Sequence, residues 1–202
     1  MSKLLASIGY SGHALVVQEA LRSTGKDFYG YFEKEDRISG LKYLGQEENN
    51  LNWIKENDFV VCIGDNNLRR KVYEKLLQEI SYTPLSVIHS SSIISNSANI
   101  GNYVQVLTRC IIHPKAMIGQ GTICNTSSVI EHECVVGDFC HIAVSAILCG
   151  DVKVGNNTFI GAGAVVKQGI KIGSNVIVGA GSVVIKDIPD NSKVVGNPSR
   201  FI

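Results

Sequence analysis

From Ile88 to Val184 an aliphatic-type residue stands at every sixth position: Ile88, Ile94, Ile100, Val106, Ile112, Ile118, Cys124, Ile130, Val136, Ile142, Leu148, Val154, Ile160, Val166, Ile172, Val178 and Val184. A period of six fits neither an α-helix nor a plain strand, and it marks a hexapeptide β-helix. Four residues after each site comes a second small or apolar group, from Ser92 and Ala98 to Val176 and Ser182, never charged or aromatic. Two inward side chains per short strand leave the remaining residues to turn, so three strands close a triangular coil of about 18 residues. Coils stack at about 4.8 Å, which places residues 18 apart one above the other. Glycines directly after the register site (Gly101, Gly119, Gly137, Gly155, Gly161, Gly173 and Gly179) are expected to supply the tight backbone that leads into each corner.

Residues 1–84 read differently. A strand from Lys3 to Ile8, a turn from Gly9 to Ala14, a helical stretch to Arg22 and a strand from Phe28 to Phe32 make a βαβ start. Another strand, Phe59 to Ile63, enters the turn Gly64-Asp65-Asn66-Asn67 before a helix from Leu68 to Ile80 and a last short strand from Leu85 to Ile88. Alternating elements imply a small parallel sheet, a Rossmann-like α/β domain, with Pro84 at its boundary and the all-β helix filling 85–202. Ligands bind beyond the carboxyl ends of parallel strands, where Gly9, Ser11, Gly12 and His13 offer backbone N–H groups to a phosphate. The same glycines would also serve a tight turn on purely structural grounds. The domain is about half the size of a full dinucleotide fold, which favours one nucleotide diphosphate over NAD.

With 45% hydrophobic residues the chain can bury a real core, and its formal charge of +1 carries no footprint for nucleic acid. No run of 18 apolar residues and no secretory leader are evident, so a cytoplasmic protein without a membrane partner is expected. Cys110, Cys124, Cys134 and Cys140 fall on inward phases of the repeat, where a thiol fills space, and Cys62 lies in an apolar strand. Cys149 is out of phase and lacks a basic partner to activate it. His89 and His113 follow register residues directly and are read as surface histidines without partners.

One polar cluster stands out. His132 and Glu133 occupy a corner of the prism, and Gly150, 18 residues after His132, is expected one coil above. A neutral imidazole beside a carboxylate acts as a general base worth roughly 100- to 10,000-fold in rate. A backbone N–H aimed at a developing oxyanion adds about 3 kcal/mol. Together these suit acyl transfer, although spacing alone equally fits an exposed His-Glu pair on a solvated corner. His141 lies half a coil from His132, so a joint site would form only between subunits, and closed symmetry around a three-sided prism makes a trimer the natural assembly.

With these residues in view, the chain resembles the bacterial sugar acyltransferases, which include nucleotide-aminosugar N-acetyltransferases of the bacillosamine type and sialic acid O-acetyltransferases. The likeness spans the chain. It rests on Ser11-Gly12-His13, the run Asn125-Thr126-Ser127-Ser128-Val129-Ile130-Glu131-His132-Glu133-Cys134, then His141, Gly150, and Gly196-Asn197-Pro198-Ser199-Arg200. The resemblance implies a left-handed β-helix and a homotrimer that binds acetyl-CoA in the cleft between subunits. It implies His132 as general base, Glu133 raising its basicity, and Asn125 close by. His141, the Gly150 amide and the backbones at Ala162 and Ala180 would meet acetyl-CoA. Gly9 and Ser11 to His13 would hold the diphosphate of a nucleotide sugar, and Glu33, Lys34, Asn66 and Asn67 would meet the nucleoside.

The activity implied is metal-free, acetyl-CoA-dependent N-acetylation of a nucleotide-linked 4-amino-4,6-dideoxy sugar, in bacterial surface-glycan, lipopolysaccharide or glycoprotein synthesis. The nucleotide (UDP, dTDP or GDP) stays open. The alternatives are O-acetylation of sialic acid or another sugar, a zinc β-helix hydratase, for which His113, His132 and His141 offer no convergent set, and a non-catalytic scaffold.

Overall fold

The computed structural model describes residues 3–37, 39–80 and 83–202; Met1, Ser2, Ile38, Ser81 and Tyr82, all within the expected first domain, lie outside them. The chain opens with β1 (Leu5–Ile8), α1 (Gly12–Arg22), β2 (Gly30–Phe32), β3 (Lys42–Tyr43), α2 (Leu51–Glu56), β4 (Asp58–Val61) and α3 (Asn66–Glu79). Their strands form one parallel sheet in the order β3-β2-β1-β4. Two-residue β3 and one-turn α2 are too short to display a period, which is why sequence reading passes over them. The strand expected over Leu85 to Ile88 belongs elsewhere. The Leu85 N–H reaches this sheet, donating to Phe59 O at 2.9 Å, while Val87–Ile88 pairs with Gln105–Val106 in the solenoid.

The rest is a three-sided parallel β-solenoid whose strands pair with partners 18 residues away, as in Ile123↔His141 and Val129↔Ile147. One face carries Gln105, Ile123, His141 and Phe159 at its outward positions and receives the α/β domain. A second, aliphatic face stacks Ile93, Ile111, Val129, Ile147, Val165 and Val183 outward. The third is mixed, running through Asn99, Met117, Val135, Lys153 and Lys171. Inward, the register residues from Val106 to Val184 are buried with Val104, Cys110, Ala116, Cys134, Cys140 and Ala146 into one core. Emptying one such position would cost about 2–5 kcal/mol.

The closing coil is two residues shorter, with Ile172↔Ile188 and Ile177↔Lys193, and the terminal Arg200–Phe201 folds back antiparallel on Val194 and Val195. Ser199 N–H donates to Val183 O at 2.9 Å.

The corners differ from the expectation for glycine. The left-handed backbone lies three residues after the register site, at Arg109, Ser127, Glu133 and Asn157 (φ 56–60°), and only sometimes at glycine. The glycines directly after the register site serve close approach instead. A Cβ built on Gly119 would fall 2.5 Å from the Gly137 carbonyl carbon, and one on Gly161 would fall 2.5 Å from Ala180 N, so each coil rests on the next.

The α/β domain grips the solenoid from both sides of its sheet. Tyr10, Ala14 and Val17 pack with Val87, Leu107 and Ile123; Tyr73 and Leu76 pack with Tyr103 and Phe139 on the adjoining corner. Outward positions on this face are therefore core, not the tolerant surface that the repeat alone suggests.

Candidate active site

Three groups of residues come together around the prism. At the corner between the aliphatic and mixed faces, His132 and Glu133 form the turn after Val129–Ile130, with Glu133 in the left-handed region at φ 60°. His132 Nδ1 lies 3.3 Å from Glu133 Oε2; a carboxylate only accepts, so Nδ1 carries the hydrogen and Nε2 keeps its lone pair. The imidazole rests against Gly150, where an added Cβ would come within 2.6 Å of both Cε1 and Nε2. Asp151 N–H donates to His132 O at 2.9 Å, which fixes the two coils in register. Among the described residues nothing accepts the Gly150 N–H.

The surroundings of this corner are more organised than the spacing suggests. Glu131 accepts from His132 N–H at 3.4 Å and reaches His113 Nε2 at 3.5 Å, so His113 is not partnerless. The 18-residue offset between His113 and Glu131 is the signal that would have paired them. His89 Nδ1 likewise accepts from Ser91 N–H at 2.9 Å. Lys153 Nζ donates to Glu133 O at 2.8 Å, and Lys115 Nζ stands 3.7 Å from Glu133 Oε1. His132 and Glu133 are each about half exposed (52% for both side chains), so in a single subunit their pairing is screened and worth little.

The second group lies at the corner between the docking face and the aliphatic face. Val144, Ala162 and Ala180 stack there at 18-residue intervals, exposed, and among the described residues no group accepts their N–H. At the equivalent corner position beside the mixed face, the N–H of Gln120, Asp138, Asn156 and Ser174 is taken up each time by a side chain of the coil above. A column of free donors on an open edge can bond the carbonyls of an extended, amide-bearing chain. Ala162 and Ala180 are the members that the resemblance implies; Val144, 18 residues before Ala162, was missed, and that offset is the signal that would have found it.

The third group is the domain junction. His141 is buried on the docking face, with Nδ1 3.2 Å from Gly64 O and Nε2 3.0 Å from Asn125 Nδ2. The carbonyl only accepts, so Nδ1 is protonated and Nε2 accepts from the asparagine. Burial, reinforced by the nearby Arg69 charge, pushes the His141 pKa down to about 4. Asn125 thus serves His141 and, within one chain, lies a face away from His132, not close by it as the resemblance implies.

His13 faces the same junction, its ring centroid 6.2 Å from that of His141. Its Nε2 donates to Gln105 Oε1 at 2.7 Å, while Gln105 Nε2 donates to Val61 O at 2.8 Å. Burial lowers the His13 pKa. Asn66 accepts from Arg69 Nη2 at 2.9 Å, and Asn67 accepts from Asn157 Nδ2 at 2.7 Å. Gly64, Asn66, Asn67, His141, Asn157 and Phe159 line a crevice of about 470 Å³.

The two helix N-termini at the carboxyl edge of the sheet differ. Asp65 caps α3 by accepting from Leu68 N–H at 2.8 Å, whereas the Ser11 side chain makes no cap bond and the first turn of α1 holds no acid. Of α1 and α3, therefore, α1 is the one open to an anion. Gly9 is held at φ 83°, and a Cβ on it would lie 3.0 Å from Ile63 Cγ1. A depression of about 520 Å³ opens there between Tyr10, Ser11, Gly12, Leu15, Arg37 and Ser39. The Glu33 carboxylate accepts from Tyr10 N–H (3.2 Å) and Lys34 N–H (3.1 Å) and reaches Arg37 at 3.6 Å, shaping the wall of that depression.

His132 and His141 share no contact within one chain; the whole aliphatic face separates them. Among the described residues no three His, Cys, Asp or Glu side chains converge to hold a metal ion, and no helix is long and apolar enough to cross a membrane.

Comparison with known proteins places this geometry. Residues 5–76 match the PglD N-terminal domain, and 151–186 match the bacterial transferase hexapeptide (six repeats). The structure is similar to PerB from Caulobacter crescentus, solved with CoA and GDP-perosamine, at 33% identity over 98% of this chain and 97% of that one, with a TM-score of 0.93. It is similar to the acetyltransferase domain of PglB from Neisseria gonorrhoeae, solved with acetyl coenzyme A, at 30% identity over the whole of both chains and the same TM-score of 0.93. WeeI from Acinetobacter baumannii shares the fold at 24% identity and a TM-score of 0.91.

Proposed function

The chain belongs to the bacterial nucleotide-sugar N-acetyltransferases of the hexapeptide-repeat superfamily, and from that premise we propose that it transfers the acetyl group of acetyl-CoA to the amino group of a nucleotide-linked 4-amino-4,6-dideoxy sugar. The observation that carries the reading is the His132 imidazole lodged against Gly150, with Nδ1 turned to the Glu133 carboxylate and the Gly150 N–H free. PerB was solved with the corresponding class of sugar nucleotide and CoA, and PglB with acetyl coenzyme A.

In this reading His132 Nε2 takes the proton of the sugar amine as its nitrogen adds to the thioester carbonyl. The N–C bond forms, the carbonyl electrons collect as an oxyanion near the Gly150 N–H, and collapse breaks the C–S bond. Coenzyme A leaves as thiolate and recovers the proton from the imidazolium. Glu133 stabilises that imidazolium, and general-base catalysis of this kind supplies roughly 100- to 10,000-fold. The free N–H column at Val144, Ala162 and Ala180 would hold the pantetheine arm, with His141 and Asn125 beside it. The open N-terminus of α1 at Ser11 to His13 would take the diphosphate, and the depression lined by Arg37, with Glu33 and Lys34 beyond it, the nucleoside. Asn66 and Asn67 would line the sugar end of the junction.

The working assembly is a homotrimer in the cytoplasm that feeds a surface glycan such as lipopolysaccharide. In support, six outward aliphatic side chains stack on one face between the His132 corner and the Ala162 corner. Packing three such faces around an axis sets the His132 corner of one protomer against the Ala162 corner of the next. It also removes water from the His132–Glu133 pair, which strengthens it.

Purified protein assayed with acetyl-CoA against UDP-, dTDP- and GDP-linked 4-amino-4,6-dideoxy sugars is expected to release thiol with at least one of them. Reaction with free sialic acid and none of these would overturn the proposal.

A further inference from the structure

Helix α3 carries one charge on its buried stripe. Asn66, Arg69, Tyr73 and Leu76 are the buried positions of this helix, and Arg69 is only 2% exposed. Its guanidinium has no carboxylate partner within salt-bridge distance among the described residues. Its hydrogen bonds go to neutral oxygens instead, and they fall into two sets. Nη1 donates to Ile63 O (3.1 Å) and Gly64 O (3.0 Å), and Nη2 to Asn66 Oδ1 (2.9 Å), all on the turn that ends β4. Nε donates to Gly121 O (2.8 Å), and Nη2 to Phe139 O (3.1 Å) and Cys140 O (3.0 Å), on two successive coils of the solenoid.

An isolated buried cation is expensive, and a chain keeps one only where its hydrogen bonds are complete. The planar fork of arginine reaches both sets of carbonyls at once; the point charge of lysine cannot. One acceptor is shared: Gly64 O takes both Arg69 Nη1 and His141 Nδ1. The carbonyl that Arg69 fixes is therefore the group that fixes the orientation of His141, and through Nε2 the side chain of Asn125.

We propose that Arg69 is a positioning residue of the acetyl-transfer site, its guanidinium locking the Gly64–Asn67 turn of the α/β domain and the coils that carry Asn125 and His141 into one unit. The inference rests on the function proposed above, because it assigns the sugar nucleotide to the turn and acetyl-CoA to the coil. Without the clamp the two ends keep their residues and lose their register. A misplacement of about 1 Å costs on the order of 100-fold in rate. The charge acts in the same direction, since Arg69, with His13, disfavours protonation of His141; Asp65, which lines the crevice with His141, is the carboxylate whose charge reaches Arg69.

The test has two arms. In the first, Arg69→Lys is compared with wild type for kcat and KM per folded protein, well below the melting temperature. Positioning predicts a fall in kcat of about 10- to 100-fold with the lysine variant failing to rescue. A kcat within twofold of wild type, whatever the loss of stability, overturns the proposal. In the second arm, which needs no variant, the His141 ring nitrogens of ¹⁵N-labelled wild-type protein are followed by NMR from pH 7.5 to 4.5. A neutral ring protonated at Nδ1 throughout supports the clamp; a ring protonated at Nε2, or one titrating near its ordinary value, refutes it. If wild type acetylates no aminosugar nucleotide, the proposed function fails and the NMR arm still judges the clamp.

Discussion

Gly150 lies against the imidazole of His132 so closely that a single methyl group added to its Cα would come within 2.6 Å of two ring atoms. The coil that carries Gly150 forms the surface against which the side chain of the preceding coil rests, and the backbone of Gly150 itself is free of the left-handed constraint.

Gly150→Ala should therefore fold and fail. Alanine is allowed at this backbone conformation, so the melting temperature should shift by only a few degrees, while the displaced ring lowers kcat on the order of 100-fold. Thermal melts paired with initial rates will show it; a fully active Gly150→Ala enzyme would mean that the ring is free to move.

Mixing two inactive proteins should restore activity. If His132 and His141 act in one site from different subunits, His132→Ala and His141→Ala each abolish turnover alone, yet random reassembly rebuilds about a quarter of the sites. Activity measured after co-refolding, with a non-mixing control, decides this. Continued silence of the mixture would place both histidines in sites made by one chain.

Acid should weaken the fold through its junction histidines. His141 titrates at about 4 when folded against 6.5 for the ordinary side chain, and His13 is shifted in the same direction. Between those two pH values the unfolded chain binds more protons than the folded one, so stability is complete above pH 6.5 and lost as pH falls toward 4. For His141 alone the loss is roughly 3 kcal/mol. Urea midpoints taken from pH 7.5 to 4.5 should fall accordingly, and His141→Asn should flatten the slope.

Gly119→Ala should destabilise without touching any proposed site residue. Its new methyl group meets the Gly137 carbonyl carbon at 2.5 Å, a backbone contact that cannot rotate away. Overpacking of this kind costs about 1–3 kcal/mol. Denaturant titration checks it, and an unchanged midpoint would mean that adjacent coils can part.

The solenoid was legible because its period is written in side chains that all point one way, from Val106 to Val184. The offset of 18 also located Gly150 over His132, and the same arithmetic would have joined His113 to Glu131. What could not be read was anything held by main chain alone. That the N–H groups along the Val144 edge are left free shows in no side chain, and the glycines before each corner look like turn residues until the neighbouring coil is in place. Arg69 was hidden for a different reason. Its position four and seven residues before Tyr73 and Leu76 puts it on the buried stripe of α3, but its partners are carbonyls fifty and seventy residues away.

The closing hairpin has a further consequence. A parallel solenoid ends in a row of unpaired peptide groups that would accept another copy of itself indefinitely, as fibrils do. Here the shortened last coil narrows the prism, Arg200–Phe201 runs antiparallel across Val194 and Val195, and Ser199 takes up the carbonyl of Val183. The final eight residues thus act as a terminator, and a chain cut before Val195 is expected to grow end to end into filaments.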